Sequence, residues 1–153
     1  MSEDIYKKAT RSYTQLYEQM TEASLDSFDE IFSRDAIFKD PFNEVKGVPA
    51  IRAIFEHMYD TCEQPRFKVI SSSREGNTAW LLWEFNCIVR KRAISITGAS
   101  RIVFSENGKV ITHVDYWDAA SQVYEQLPLI GWFVKKLRSM FSAPQGKFSS
   151  QLP

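Results

Sequence analysis

Two side chains in the stretch Gly108 to Asp118, GKVITHVDYWD, carry the chemistry of proton transfer: the imidazole of His113 and the carboxyl of Asp115. The stretch alternates as a strand does, which predicts Ile111, His113, Asp115 and Trp117 on one face. Residues two apart on such a face stand about 6.6 to 6.8 Å apart along the strand, so an acid, a base and an indole can meet one ligand. A third ionisable group stands far upstream in AIFKDPF, where Asp40 precedes Pro41, a residue that cannot donate to a sheet ladder. Plainer roles fit the same residues. His113 and Asp115 also suit a polar pair in a half-buried sheet, or a face turned to solvent or to a dimer partner. Asp40 also suits a turn carboxylate bound to backbone amides.

The elements that must position these groups follow from periodicity. Tyr6, Ala9, Tyr13, Leu16 and Met20 recur at three or four residues and mark the buried stripe of a first helix. Leu25, Phe28, Ile31 and Phe32 predict a shorter second helix, with Ser27 and Glu30 at capping-box spacing. After the short strand AIFKDPF, Gly47 and Pro49 introduce a third helix with the stripe Ile51, Ile54, Phe55, Met58 and Cys62; His57 falls off that stripe. From Arg66 the period becomes two. Phe67 and Val69 mark one strand, Gly76 and Asn77 a tight turn, and Ala79 to Val89 a long strand with Leu81, Trp83, Phe85, Cys87 and Val89 on one face. RKR turns the chain into Ile94 to Phe104, and ENG at Glu106 to Gly108 makes the last hairpin. Helix, helix, strand, helix and four strands predict an α+β domain, its helices packed on one side of a curved sheet.

Bulk composition narrows the function. A chain of 153 residues suits one domain with one core, and 44% apolar with 14% aromatic residues gives a ring-rich interior. Nineteen basic and nineteen acidic side chains cancel, which removes the long-range pull on which a nucleic-acid binder depends. The charged start MSEDIYKKATRSY lacks the apolar run of a secretory signal, and no window matches a membrane span, so a cytoplasmic location is expected. Cys62 and Cys87 read as two reduced thiols packed in the core. Two histidines without ligand spacing predict no metal site, and no cofactor is implied. The domain is expected over residues 1–120, with a helical extension over 121–142 and a loose tail over 143–153. In that extension Leu129 to Phe141 is apolar over much of its circumference and carries Lys135, Lys136 and Arg138. Such a helix either packs across its own domain or a dimer mate, which its apolarity favours, or lies on an anionic membrane.

Two segments within this order of elements, RDAIFKDPFNEVKGVPAI and FSENGKVITHVDYWD, resemble the nuclear transport factor 2-like superfamily, nearest to its ketosteroid isomerase and SnoaL-type polyketide cyclase branches. The resemblance covers about residues 5 to 120. It implies a cone, in which a strongly bent, mixed or antiparallel sheet wraps against three N-terminal helices around a deep apolar pocket, and it implies a homodimer. The Asp of the isomerases' Asp-Pro pair, their catalytic base, falls at Asp40. Their first-helix tyrosine falls at Leu16, beside Tyr17, and their protonated acid falls at Ser100. One such oxyanion donor is worth about 3 to 4 kcal/mol, so the two departures argue against steroid isomerisation. The cyclases' last strand resembles G-K-[IV]-x-x-H-x-D, matched by Gly108, Lys109, Val110, His113 and Asp115, and its Asp is their general acid/base.

The resemblance implies an isomerase, cyclase or dehydratase acting on an apolar, carbonyl-bearing small molecule. Asp40, His113 and Asp115 would carry the chemistry, and Tyr17 and Ser100 would donate hydrogen bonds. Phe55, Met58, Trp83, Phe85, Ile102 and Trp117 would complete the pocket wall. Two other readings stand beside it: a binding or dimerisation module that kept the cone without the chemistry, and a lipid-associated protein acting through residues 129–141.

Overall fold

Tyr13 and Tyr17, one helical turn apart, are the two buried side chains of the first helix, α1 (Ser2–Glu18). Glu3 and Asp4 stand in its first turn, where acidic groups complement the helix dipole. In the computed structural model, residues 1–123 are described, and Met1–Trp117 form one compact unit.

After α1 the chain makes a 3₁₀ turn (Glu22–Ser27) and a single turn of helix, α2 (Phe28–Ile31). The reciprocal capping pair is Thr21 and Ser24 rather than Ser27 and Glu30, with the Thr21 amide donating to Ser24 Oγ at 3.0 Å. Phe32 does not end a helix; it opens the eight-residue strand β1 (Phe32–Lys39). A three-residue strand, β2 (Glu44–Lys46), folds back on β1 and was too short to leave a pattern. Gly47 then takes φ 96°, a left-handed value that glycine tolerates, and Pro49 sits in the first turn of α3 (Val48–Thr61). Val48, Ile51 and Phe55 are its buried residues, and His57 is exposed.

Three long strands follow: β3 (Glu63–Glu75), β4 (Thr78–Val89) and β5 (Arg92–Phe104). The last strand is β6 (Val110–Tyr116). Alternation holds cleanly in β4, where Ala79, Leu81, Trp83, Phe85 and Cys87 are buried. The six strands form one curved sheet in the order β2-β1-β6-β5-β4-β3. All neighbours are antiparallel except β1 and β6, which run parallel. Phe28, Phe32, Ile51, Ile102, Phe104 and Val110 fill the space between helices and sheet.

The strict alternation expected for the last strand fails at its start. Both pairings of β6 shift register near Val110, so Val110 is buried and Ile111 is exposed. A bulge there inserts one residue and reverses the parity before His113. Ile111 therefore does not share the face of His113 and Asp115. Of the cysteines, Cys87 is buried, while Cys62, at the end of α3, is only half-buried.

The second unit spans Asp118–Pro153, of which residues 118–123 are described. It opens with a helical turn, α4 (Ala119–Gln122), whose N-cap Asp118 accepts from the Ser121 amide at 3.2 Å and from its hydroxyl at 2.6 Å. The apolar stretch 129–141 and the tail 143–153 lie outside the described residues, as does nearly all of the expected helix over 121–142. Among the described residues no helix is long and apolar enough to cross a membrane.

Candidate functional site

The parallel pairing of β1 with β6 brings the two aspartates together. Phe38 pairs with His113 and Lys39 with Val114, so the next residue along each strand, Asp40 and Asp115, emerges at the same end. On the other side of β6, Ser100 of β5 is the direct partner of Asp115. Three segments remote in sequence thus converge on one short piece of strand.

Above this piece α1 lays its two buried phenols. Tyr13 Oη lies 2.8 Å from His113 Nδ1 and 3.4 Å from Tyr17 Oη. The imidazole stacks on Phe38 (centroids 4.6 Å apart) and on Tyr17 (5.8 Å), and is only 1% exposed. Its other nitrogen, Nε2, lies 2.6 Å from Asp115 Oδ1. Burial raises the Tyr13 phenol far above its usual range, and the charge of Asp115 adds to the effect, against a lowering hydrogen bond from Tyr17. Tyr17 is raised for the same first cause, then by Tyr13 and Asp115.

A carboxylate only accepts, so Asp115 Oδ1 takes the hydrogen bond of His113 Nε2–H, and in the neutral imidazole Nδ1 then accepts from the Tyr13 hydroxyl. From the opposite side the Trp83 indole, a donor only, gives its Nε1–H to Ser100 Oγ at 2.7 Å. Ser100 in turn donates a short hydrogen bond to the same Oδ1. Among the described residues Oδ2 of Asp115 has no hydrogen-bond partner. One oxygen of this carboxylate is thus anchored twice.

Trp83 reaches Ser100 because its cross-strand partner is Gly98. A Cβ at position 98 would stand 2.7 Å from two indole atoms and 3.0 Å from Trp117 Cβ. The glycine is therefore required by close approach.

In front of Asp115 lies a cavity of about 200 Å³. Asp40, Asp115 and Trp117 line it, Tyr17 comes from α1, and Phe55 and Met58 come from α3. Trp83 and Phe85 supply the wall from β4. These are eight of the residues that the sequence marks as candidates. The structure places the other three elsewhere: His113 and Ser100 lie behind Asp115, and Ile102, fully buried, is the cross-strand neighbour of His113. Phe38, Ile54, Phe67 and Ile96 also line the cavity, without having been singled out. Phe67 and Ile54 stood in the inward parity of their elements, which was the available signal. A larger groove of about 530 Å³ shares Tyr17 and Phe67 with this cavity and is otherwise mostly polar, with Arg66, Lys68 and Glu84 among its walls.

Asp40 is held differently from Asp115. Its Oδ1 accepts from the amides of Phe42 and Asn43, each at 2.7 Å, and the Asn43 side chain donates to both oxygens at 3.0 to 3.1 Å. It closes the turn after β1 while still facing the cavity. Among the described residues no three His, Cys, Asp or Glu side chains cluster as metal ligands would.

The sequence matches the SnoaL-like domain over residues 13–113. No curated protein matches it. Among solved structures, a protein described as a SnoaL-like polyketide cyclase from Jannaschia sp. CCS1 is similar at TM-score 0.67 and 11% identity, covering 75% of this chain and 88% of that one. A nuclear transport factor 2-like protein of unknown function from Burkholderia pseudomallei K96243 is similar at TM-score 0.67 and 14% identity, covering 78% and 95%. An LEH-like epoxide hydrolase of M. tuberculosis is similar at TM-score 0.65 and 12% identity, covering 88% and 97%. Identities this low carry the fold and not the activity. With its family match spanning more than half of its length, the chain belongs to the SnoaL-like domain family.

Proposed function

We propose that this protein is an acid/base enzyme, of the isomerase, cyclase or dehydratase type, acting on a small, largely apolar carbonyl compound through its own side chains. The observation that carries this reading is the division of labour within Asp115. Oδ1 is fixed by Ser100 and His113, while Oδ2, in a residue that lines the aromatic cavity, has no partner among the described residues. Oδ2 takes a proton from the carbon beside the carbonyl, and the electron pair of that C–H bond moves toward the carbonyl oxygen. The same carboxyl then returns the proton to another atom of the substrate. Geometry of this kind typically contributes 10²- to 10⁴-fold to rate. Tyr17 and Asp40 stand beside the reacting group, Asp40 primarily closing its turn.

Size limits the substrate. An apolar cavity of about 150 Å³ accepts benzene, so about 200 Å³ suits a molecule with one ring. A suitable probe is 4,4-dimethylcyclohexanone in deuterated water. The reading expects the protein to accelerate deuterium uptake beside the carbonyl, followed by proton NMR. Uptake no faster than with heat-denatured protein would count against it.

A separate observation supports a homodimer. Trp80, Leu82 and Tyr116 are 42%, 40% and 53% exposed on the sheet face opposite the buried side chains of β4, and Trp80 stacks on Tyr116 at 6.0 Å. Leu82, Ala99 and Tyr116 form one row across three strands. We infer that a second copy of this chain covers that face, because a contiguous apolar surface is costly in water.

A further inference from the structure

The same cavity carries information about charge that the proposed activity leaves unused. Among the described residues its lining holds no lysine, arginine or histidine, and its two ionisable acids are both aspartates, Asp40 and Asp115. The side-chain donors in its wall are already committed. The Tyr17 hydroxyl is turned toward Tyr13, and the Trp83 indole N–H is given to Ser100. Lys39 belongs to the adjoining groove that both aspartates also line, and it is drawn to Glu44 at 4.0 Å. What remains for a ligand is two carboxylates and the faces and edges of aromatic rings.

Such a lining selects by sign. An anionic ligand would meet like charge with no donor to offset it. A neutral carbonyl compound fits by size, yet finds no uncommitted donor in the wall for its oxygen. A cation gains twice, from the two carboxylates and from the negative faces of the rings. A concave, low-dielectric site focuses that field further. The indoles of Trp83 and Trp117 matter most, since tryptophan is the strongest ring partner for a cation.

We infer that the ligand of this cavity bears a cationic nitrogen, a protonated or quaternary amine, of about one-ring size. The inference rests on the acid/base reading above and sharpens its substrate class to amino-carbonyl compounds. The ligand then brings the positive charge that the wall lacks, and that charge offsets the negative charge developing on the substrate when Asp115 withdraws its proton.

Two isosteric probes separate charge from shape: 1,1-dimethyl-4-oxopiperidinium, a permanent cation, and 4,4-dimethylcyclohexanone, its neutral carbon analogue. Binding of each is followed by NMR on the indole N–H signals of the full chain, in 20 mM and 500 mM sodium chloride. The expected result is that the cation binds at least ten-fold more tightly at low salt. Its advantage should shrink at high salt, with the neutral ketone unaffected. Asp40→Asn should reduce the advantage about three-fold or more, while Lys39→Gln, a change outside the cavity wall, should leave it in place. Equal binding of the two probes would overturn the inference and leave the acid/base reading intact, because deuterium uptake by the neutral ketone tests that reading separately. Binding of neither probe would overturn the inference along with the cavity on which it depends.

Discussion

Tyr13 Oη and His113 Nδ1, one hundred residues apart in the chain, lie 2.8 Å from one another at the centre of the domain. Through this contact α1 sets the imidazole, and the imidazole sets Asp115. Tyr13→Phe removes the donor and leaves a buried ring nitrogen without a partner, which costs about 1 to 3 kcal/mol. Because the sequence contains only two histidines, and His57 is exposed, long-range ¹⁵N–¹H NMR spectra distinguish them readily. Wild-type His113 should show the tautomer with its proton on Nε2. The variant should lose that single tautomer along with part of its stability to urea. An unchanged ring spectrum would show that Tyr13 does not orient His113.

The buried phenols predict a pH dependence. Tyr13 and Tyr17 are raised above the ordinary value of 10.0. The unfolded chain therefore releases their protons from about pH 10 upward, while the folded one retains them. Stability should be at its full value below pH 10 and should fall as the pH rises above it. Absorbance of phenolate at 295 nm should report at least two of the six tyrosines, Tyr13 and Tyr17, as silent in the folded protein near pH 11 and recovered on unfolding. Titration of all six near pH 10 in folded protein would contradict the packing of α1 against His113.

Gly98→Ala tests the close approach beneath Trp83. The added methyl would lie 2.7 Å from the indole and must displace it. Overpacking of this kind costs about 1 to 3 kcal/mol. It should also break the Trp83–Ser100 hydrogen bond and so loosen one anchor of Asp115. Thermal melting and the indole N–H chemical shift measure the two effects. A variant as stable as the parent, with an unshifted indole, would show that the strands separate there without cost.

The outer face of the sheet tests the dimer. Wild-type protein should run as a dimer in light scattering coupled to size exclusion, and Trp80→Glu with Leu82→Lys should make it a folded monomer. A monomeric wild type at micromolar concentration would reject the interface.

Much of this arrangement is legible in the sequence, because the side-chain period is short and local. The inward face of β4 and the stripe of α3 need only a few consecutive residues to declare themselves. What escapes is whatever depends on one residue of phase or on distant pairing. Leu16 was the expected occupant of the isomerase tyrosine position, yet the helix turns Tyr13 and Tyr17 inward and leaves Leu16 half-buried. Ile111 was expected beside His113 until the bulge reversed its direction. Phe38 reaches His113 only through a parallel pairing across about half of the chain, and Gly98 matters only because an indole passes above it. No local pattern records either contact.

The most direct measurement compares Asp115→Asn with Asp40→Asn in the deuterium-uptake assay on a one-ring ketone, both variants first shown to be folded by their His113 signals. If Asp115 Oδ2 moves the proton and Asp40 chiefly closes its turn, Asp115→Asn should lower the rate at least a hundred-fold, and Asp40→Asn should lose stability while keeping most of the rate. Full activity in Asp115→Asn would contradict the account.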